Sequence, residues 1–173
     1  MLSKLLEKEI NDQINYEFWS AQLYLSMSAH FADLGLPGFA HWMYIQYQEE
    51  TTHAVKFFNY VIERGGKVQV QPIQEVSTVW DSILSVFKET MEHEQKVTTR
   101  INHLADTAVA EKDHATQSML RWFIDEQVEE EANVKAIVDT LKLVKDNGYG
   151  IYALDKELAT RVFIDNTQTG INA

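Results

Sequence analysis

The side chains with the clearest chemistry in this 173-residue chain are Glu50 and His53, three positions apart in a segment with helical periodicity. Three other helix-patterned segments each place one acid on an apolar stripe, at Glu17, Glu94 and Glu130. A carboxylate is costly to remove from water unless it gains a partner. Four acids and a histidine that face inward therefore predict a strongly cationic ligand between the helices, and a pair of iron ions is the natural candidate.

Each of the four acids shares the apolar seam of its own helix, because large apolar residues lie three, four or seven positions away. The flanking residues are Ile14 and Ala21 for Glu17, Met43 and Ala54 for Glu50, Met91 and Val97 for Glu94, and Phe123 and Val134 for Glu130. One glutamate on such a seam is usually a boundary residue that reaches water. One acid near the middle of every helix, together with His53, favours a metal site instead.

Composition narrows the classes of function. The formal net charge of −11 argues against a nucleic-acid partner, which would require a basic face. The absence of cysteine excludes disulfides, thiolate catalysis, iron–sulfur clusters and cysteine-bound zinc. No apolar run is long enough to cross a membrane, and the N-terminus lacks the pattern of a secretory signal. We therefore expect a cytoplasmic protein without a membrane partner.

Glycine and proline are scarce, with seven and two copies, and they separate five predicted helices. The helices are predicted at about 5–34, 39–64, 81–108 with Asp81 as the N-cap, 114–145 and 151–162. The connection over 67–80 is long, as expected when a chain must return along the full length of a bundle. The prediction is an all-α fold, a four-helix bundle with one long crossover connection plus a short fifth C-terminal helix.

We expect one domain over residues 1–173. Its parts are a bundle at about 5–145, the short helix at about 150–163 and a polar tail at 164–173.

Four motifs in this order resemble the haem-free ferritins of bacteria and archaea. They are NxxINxExxSAxLYLSM at 11–27, QEExxHAxKxFxxxxxRGG at 48–66, the pair His93-Glu94, and EQVEEE at 126–131. The resemblance covers nearly the whole chain. It implies a ferritin-like fold and iron storage, with oxidation of Fe(II) to Fe(III) by O₂ and a ferric mineral inside a hollow cage of 24 identical chains.

The resemblance also implies roles for individual residues. Glu17, Glu50 and His53 would bind a first iron, and Glu50 would bridge to a second iron bound by Glu94 and Glu130. Gln127 would form a hydrogen bond near the site and help to position the oxidant. Tyr24 corresponds to a tyrosine beside the family's site, although an ordinary core aromatic would show the same spacing.

Two features of the sequence refine the expected site. Asn133 stands where a second Glu-x-x-His motif would need histidine, so the second iron has only oxygen ligands and is expected to bind more weakly. This favours a site that passes iron on over a site that keeps a permanent cofactor. Glu49, Glu126 and Glu129, together with the ligand Glu130, match a third iron position in bacterial ferritins. The alternative is that these three acids simply coat a wet surface.

Haem is not expected. Bacterioferritins carry a methionine ligand directly after the bridging glutamate, and this chain has Thr51 and Thr52 there. The route of iron entry stays open, because residues 116–121 lack the acids that line the three-fold channel of animal ferritins. Hydrogen peroxide is an alternative oxidant to O₂.

Three other assignments fit this sequence less well. A DNA-protecting mini-ferritin of twelve chains has its site between subunits and an extra helix in the long connection. Here all the predicted ligands lie within one bundle, and the extra helix is the terminal one. A catalytically silent shell subunit would lack the ligands that this chain has. A peroxidase of the rubrerythrin type would need cysteine-bound iron.

The terminal helix is expected to take part in assembly. Its apolar residues Ile151, Leu154, Leu158 and Val162 are spaced by three and four positions, and the face is too short to be stable alone. With a hinge at Tyr149-Gly150, the resemblance implies that this face packs between subunits around a four-fold axis.

Overall fold

All the regular secondary structure in the described part of the chain is helical. A computed structural model describes residues 1–167, and within that range it contains five helices and no strand. The helices are α1 (Lys4–Asp33), α2 (Pro37–Glu63), α3 (Ile83–Ala110), α4 (His114–Val144) and α5 (Gly148–Leu158). None of the helices in this range is both long and apolar enough to cross a membrane. The predicted all-α bundle with a fifth short helix is confirmed.

The bundle consists of two helix pairs joined by the long crossover. α1 packs along α2, α3 packs along α4, and α5 contacts α2 and α4. Residues 67–82 contain no helix and follow the side of α1. The Asn11 side chain bonds the backbone of Lys67 and Gln69, and the Ser26 hydroxyl donates to the Ser77 carbonyl at 2.6 Å. The crossover is therefore attached to α1 over much of its length.

The apolar core is divided into two clusters, one towards each end of the bundle. In every bundle helix the candidate ligand lies between a residue of one cluster and a residue of the other. The sequence runs Ile14, Glu17, Leu23 in α1; Met43, Glu50, Phe57 in α2; Phe87, Glu94, Val97 in α3; and Phe123, Glu130, Val134 in α4. A polar layer thus crosses the middle of an otherwise apolar interior.

Most predicted boundaries of the bundle helices differ from the observed ones by one or two residues, and two of the differences have a clear cause. α3 is capped by Ser82 and not by Asp81, because Ser82 and Ser85 each accept a hydrogen bond from the other's backbone N–H at 3.0 Å. α2 begins at Pro37 and not at Phe39, since proline suits the first turn, where its missing N–H is not needed.

The expectations for the terminal helix need larger corrections. Tyr149 and Gly150 are not a hinge, because α5 already begins at Gly148 with Asn147 as its N-cap. Leu154 and Leu158 are buried against the chain's own bundle, so they are covered without a second subunit. Val162 lies beyond the end of α5 and is 71% exposed.

Ile151 and the polar tail also belong to these expectations. Ile151 is partly buried against the same cluster. In the predicted polar tail, residues 168–173 lie outside the described range.

α5 supplies the cap that α2 lacks. No side chain near Leu36 caps the start of α2, but the buried Asp155 carboxylate accepts from Gly38 N at 2.7 Å and Phe39 N at 3.1 Å. A Cβ atom on Gly38 would lie 1.6 Å from the backbone oxygen of Asp155. The close approach of α5 to α2 therefore requires glycine at this position.

Replacing Asp155 with alanine should loosen α5 from the bundle, because two buried N–H groups of α2 would lose their acceptor. We expect a loss of about 1–2 kcal/mol in the free energy of unfolding, with faster amide exchange in α5. Glu157→Ala, at an exposed position of the same helix, is the matched control. Equal exchange protection in the two variants would contradict a capping role for Asp155.

Candidate metal centre

The five candidate ligands meet in the polar layer and are almost completely buried. The exposed fraction is 0% for Glu17 and Glu94, 1% for Glu50, 2% for His53 and 3% for Glu130. Each of the four bundle helices contributes one carboxylate, and α2 adds the histidine. The structure therefore brings together the residues that were selected from the sequence.

Glu17, Glu50 and His53 form one side of the centre. Gln13 Nε2 donates to Glu17 Oε1 at 2.8 Å, while Glu17 Oε2 and Glu50 Oε2 are buried without a hydrogen-bond partner. Glu50 Oε2 lies 3.9 Å from His53 Nδ1. The edges of Trp122 and Phe123 surround the His53 ring. Two carboxylate oxygens without a hydrogen-bond partner thus lie in the interior beside a buried imidazole.

Neutral donors hold the acids on the other side. Glu94 accepts from the Tyr24 hydroxyl at Oε1 and from Gln127 Nε2 at Oε2, the latter at 3.1 Å. Gln46 Nε2 donates to Glu130 Oε2 at 3.1 Å. Tyr24 and Gln127 therefore contact a candidate ligand, as the sequence predicted. These bonds fix the carboxylates without neutralising them.

Burial and mutual repulsion raise the pKa values of the central acids. Desolvation, followed by repulsion from Glu17, Glu94 and Glu130, raises the pKa of Glu50 well above its usual value. Burial raises the pKa of Glu94 to about 7 and that of Glu130 to about 8, and it also raises the pKa of Glu17. A bound cation would oppose both causes, because it stabilises the charged carboxylates.

The donor atoms suit iron. Carboxylate oxygens accommodate Fe(II) and Fe(III), and a neutral imidazole suits Fe(II). Burial lowers the pKa of His53 to about 4, so the ring is available as a neutral ligand near pH 7. Within residues 1–167 no group of three His, Asp or Glu side chains forms a ready-made metal site. Ligation would therefore require the side chains to converge more closely than they do here.

The three acids predicted for a further position lie beside the centre with different exposures. Glu49 is mostly buried, Glu126 is half-buried and Glu129 is exposed. Burial raises the pKa of Glu49 to about 8, and repulsion from Glu130, Glu126 and Glu129 adds to this, although Arg161 acts in the opposite direction. The four acids are therefore close enough to interact electrostatically.

Sequence reasoning missed several buried polar residues around the centre. Gln13 and Gln46 each lie four positions before a candidate ligand, on the same helix face, and this spacing could have identified them. His93 is buried among the rings of Tyr16 and Trp19, and its Nε2 has no hydrogen-bond partner. Periodicity could not find Arg161, because it follows the last helix.

Comparison with known proteins gives consistent matches. Residues 7–144 match the family model described as Ferritin, a ferritin-like domain. The chain is 47% identical over 161 residues to a bacterial non-heme ferritin of Bacteroides fragilis, covering 93% of this chain and 100% of the relative. A bacterial non-heme ferritin of Staphylococcus aureus is 39% identical over 163 residues, covering 94% and 98%.

A solved structure shows the same likeness in three dimensions. It is the open-pore ferritin of the hyperthermophilic archaeon Archaeoglobus fulgidus, which matches with a TM-score of 0.93 and 45% identity. The match covers 94% of this chain and 100% of the archaeal chain.

The metal-free protein should become more stable as the pH falls from 8 to 6.5. The raised pKa values of Glu94 and Glu130 mean that the folded state favours their protonated forms. Their contribution to stability is complete below the unfolded-state pKa and is lost as pH rises through about 7 to 8. His53 opposes this trend only below about pH 6.5, since its folded-state pKa is lowered to about 4.

Glu130→Gln should flatten this pH dependence. At pH 8 the metal-free variant should be more stable than wild type by on the order of 1 kcal/mol, because the isosteric amide carries no buried charge. Urea unfolding in the presence of a chelator measures both effects. Glu92→Gln, at an exposed position on α3, serves as the control. If the free energy of unfolding changed with pH equally in wild type and Glu130→Gln, Glu130 would not be a source of the pH dependence.

Proposed function

The chain belongs to the ferritin family, and we propose that it stores iron by oxidising Fe(II) to Fe(III) with O₂ and depositing a ferric mineral. One observation carries the ferroxidase assignment. Four carboxylates and a histidine, one acid from each bundle helix, are buried together in the layer between two apolar clusters. Such a cluster is unfavourable without a cation, and Fe(II) is the substrate that would supply the charge.

We assign the ligands as the spacing and the family resemblance suggest. Glu17, Glu50 and His53 bind the first Fe(II), and Glu50 bridges to a second Fe(II) bound by Glu94 and Glu130. The unpartnered oxygens of Glu17 and Glu50 support the first assignment. Because each Fe(II) gives one electron, a shared bridging carboxylate keeps both donors close enough to reduce one O₂ to H₂O₂, which takes two electrons and two protons.

The residues around the centre would position the ligands. Gln13 orients Glu17, Gln46 orients Glu130, and Tyr24 with Gln127 holds both oxygens of Glu94. These neutral donors stabilise the carboxylates while leaving the cluster's negative charge for iron. The second site lacks a histidine, because Asn133 stands three residues after Glu130, where a Glu-x-x-His motif would have one. This favours release of Fe(III) towards the mineral.

A third iron position is part of the proposal. Its ligands are Glu49, Glu126 and Glu129 together with Glu130. Burial raises the pKa of Glu49, and repulsion from Glu130, Glu126 and Glu129 adds to it; that repulsion supports a grouping that a cation would stabilise. Glu126 is half-buried and Glu129 is exposed, which fits a position between the centre and the solvent.

We further propose that the protein is cytoplasmic, acts as one domain and carries no haem. Thr51 occupies the place where a haem-binding methionine would be expected, and its hydroxyl donates to the Tyr47 carbonyl at 2.8 Å. A threonine hydroxyl that is bonded in this way cannot replace a methionine thioether as a ligand to haem iron. The relatives described above are named non-heme ferritins.

Replacing Glu50 with alanine should lower the initial rate of Fe(II) oxidation by at least about 100-fold, because the bridging ligand is lost. The fold should persist, since a carboxylate with an unpartnered oxygen is removed and not a packing residue. Oxygen uptake after anaerobic loading with Fe(II) measures the rate, and far-UV circular dichroism checks the fold. Glu92→Ala should oxidise iron at the wild-type rate. A Glu50→Ala protein as fast as wild type would eliminate the di-iron assignment.

The assembly is proposed to be a cage of 24 chains. The crossover over residues 67–82 contains no helix, whereas the twelve-chain mini-ferritins were expected to have one there. Apolar residues that could lie between copies of the chain are exposed, with Leu143 at 83%, Tyr149 at 82% and Val128 at 71%.

Native mass spectrometry should therefore give about 480 kDa for this 20.0 kDa chain. Tyr149→Arg should shift the distribution towards smaller species, whereas Glu157→Arg, at an exposed polar site of the same helix, tests for a general effect of charge. A stable dimer or a twelve-chain particle of the wild-type protein would overturn the cage proposal.

A further inference from the structure

The chain that follows α5 does not leave the bundle but returns along α2 and α4. We call residues 159–167 the return segment. The Arg161 carbonyl lies 2.8 Å from His41 Nε2, and the Thr167 carbonyl accepts from Lys56 Nζ at 2.6 Å. Asn166 Nδ2 donates to Glu126 Oε2 at 3.5 Å. The return segment is thus attached at both ends beside the acids proposed for the third iron position.

Arg161 is the cationic residue that this segment brings to the acids. One guanidinium nitrogen donates to Glu49 Oε2 at 2.6 Å, and the other donates to Gln46 Oε1. The guanidinium carbon lies 4.7 Å from the centre of the Trp42 ring. Both members of the Arg161–Glu49 ion pair are mostly buried, with 19% and 17% of their side chains exposed. This ion pair is therefore shielded from solvent and stronger than an exposed one.

The contact with Gln46 extends the influence of Arg161 to a second acid. Because the Gln46 oxygen accepts from Arg161, its amide nitrogen faces the opposite way and donates to Glu130 Oε2 at 3.1 Å. One guanidinium thus contacts Glu49 directly and positions Glu130 through Gln46. These are two of the four acids of the third position.

We propose that Arg161 is a tethered counter-cation of the third iron position, so that a metal ion binds there only when the guanidinium leaves Glu49. The inference rests on the proposed function and adds an order of filling. The two central positions fill without breaking the Arg161–Glu49 ion pair, whereas the third must compete with that ion pair. Arg161 acts through Glu49 and Gln46 and is a positioning residue.

Anaerobic calorimetric titration of the metal-free protein with Zn²⁺ tests the competition without any redox step. Wild type should bind two Zn²⁺ ions per chain tightly and a third weakly. Arg161→Gln should tighten the third site about tenfold, because removing a charge-assisted bond frees Glu49. Arg161→Lys keeps a positive charge but loses the fork that contacts both Glu49 and Gln46, so it should tighten the third site by less than Arg161→Gln does. Arg121→Gln, at an exposed arginine of α4, should change nothing.

The outcomes separate this inference from the proposed function. Equal third-site affinities in wild type and Arg161→Gln, with both central positions filled, would overturn the role of Arg161 alone. Failure of wild type to bind Zn²⁺ at the central positions would overturn both proposals.

A crystal structure of the Zn²⁺-soaked wild type needs no variant. Subunits with anomalous density at the third position should show Arg161 displaced from Glu49. Density there together with an intact Arg161–Glu49 bond would also contradict the inference.

Discussion

The cost of removing carboxylates from water is the constraint on which the rest of this molecule depends. Two apolar clusters would form one continuous core if Glu17, Glu50, Glu94 and Glu130 did not separate them. Such a layer reduces apolar packing and adds mutual repulsion, so it is a poor choice for stability alone. A bound cation would offset both costs, and its binding would add to the free energy of unfolding.

The chain moderates this cost with charges placed at the edge of the layer. Arg100 donates to Gln13, which donates to Glu17, with both bonds at 2.8 Å. Arg161 is connected to Glu130 through Gln46 in the same way. In both cases a glutamine amide separates the guanidinium from the ligand. The candidate ligands are oriented by positive charge without a direct ion pair that an incoming cation would have to break, and Glu49 is the exception.

Helical periodicity and the positions of glycine were sufficient to predict five helices, the long crossover and the seam that each acid occupies. They were insufficient at the helix ends, where Ser82 competes with its neighbour Asp81 and one hydrogen bond decides the boundary. The apolar spacing of α5 suggested a longer helix, but the bond from His41 to the Arg161 carbonyl belongs to a chain that has already turned back. Contacts from such a return segment have no periodic signal, so only the folded structure identifies Arg161 beside Glu49.

The return segment follows all four bundle helices in the order of the chain, and this order has a consequence for folding. The bundle helices carry the four carboxylates of the polar layer, whereas Arg161 reaches Glu49 and Gln46 from beyond α5. Any state in which the bundle has formed and residues 159–167 have not yet docked leaves Glu49 without this guanidinium, while Gln46 keeps its bond to Glu130. In such a state Arg161 does not balance the negative charge of these acids, so their attraction would favour docking of the return segment.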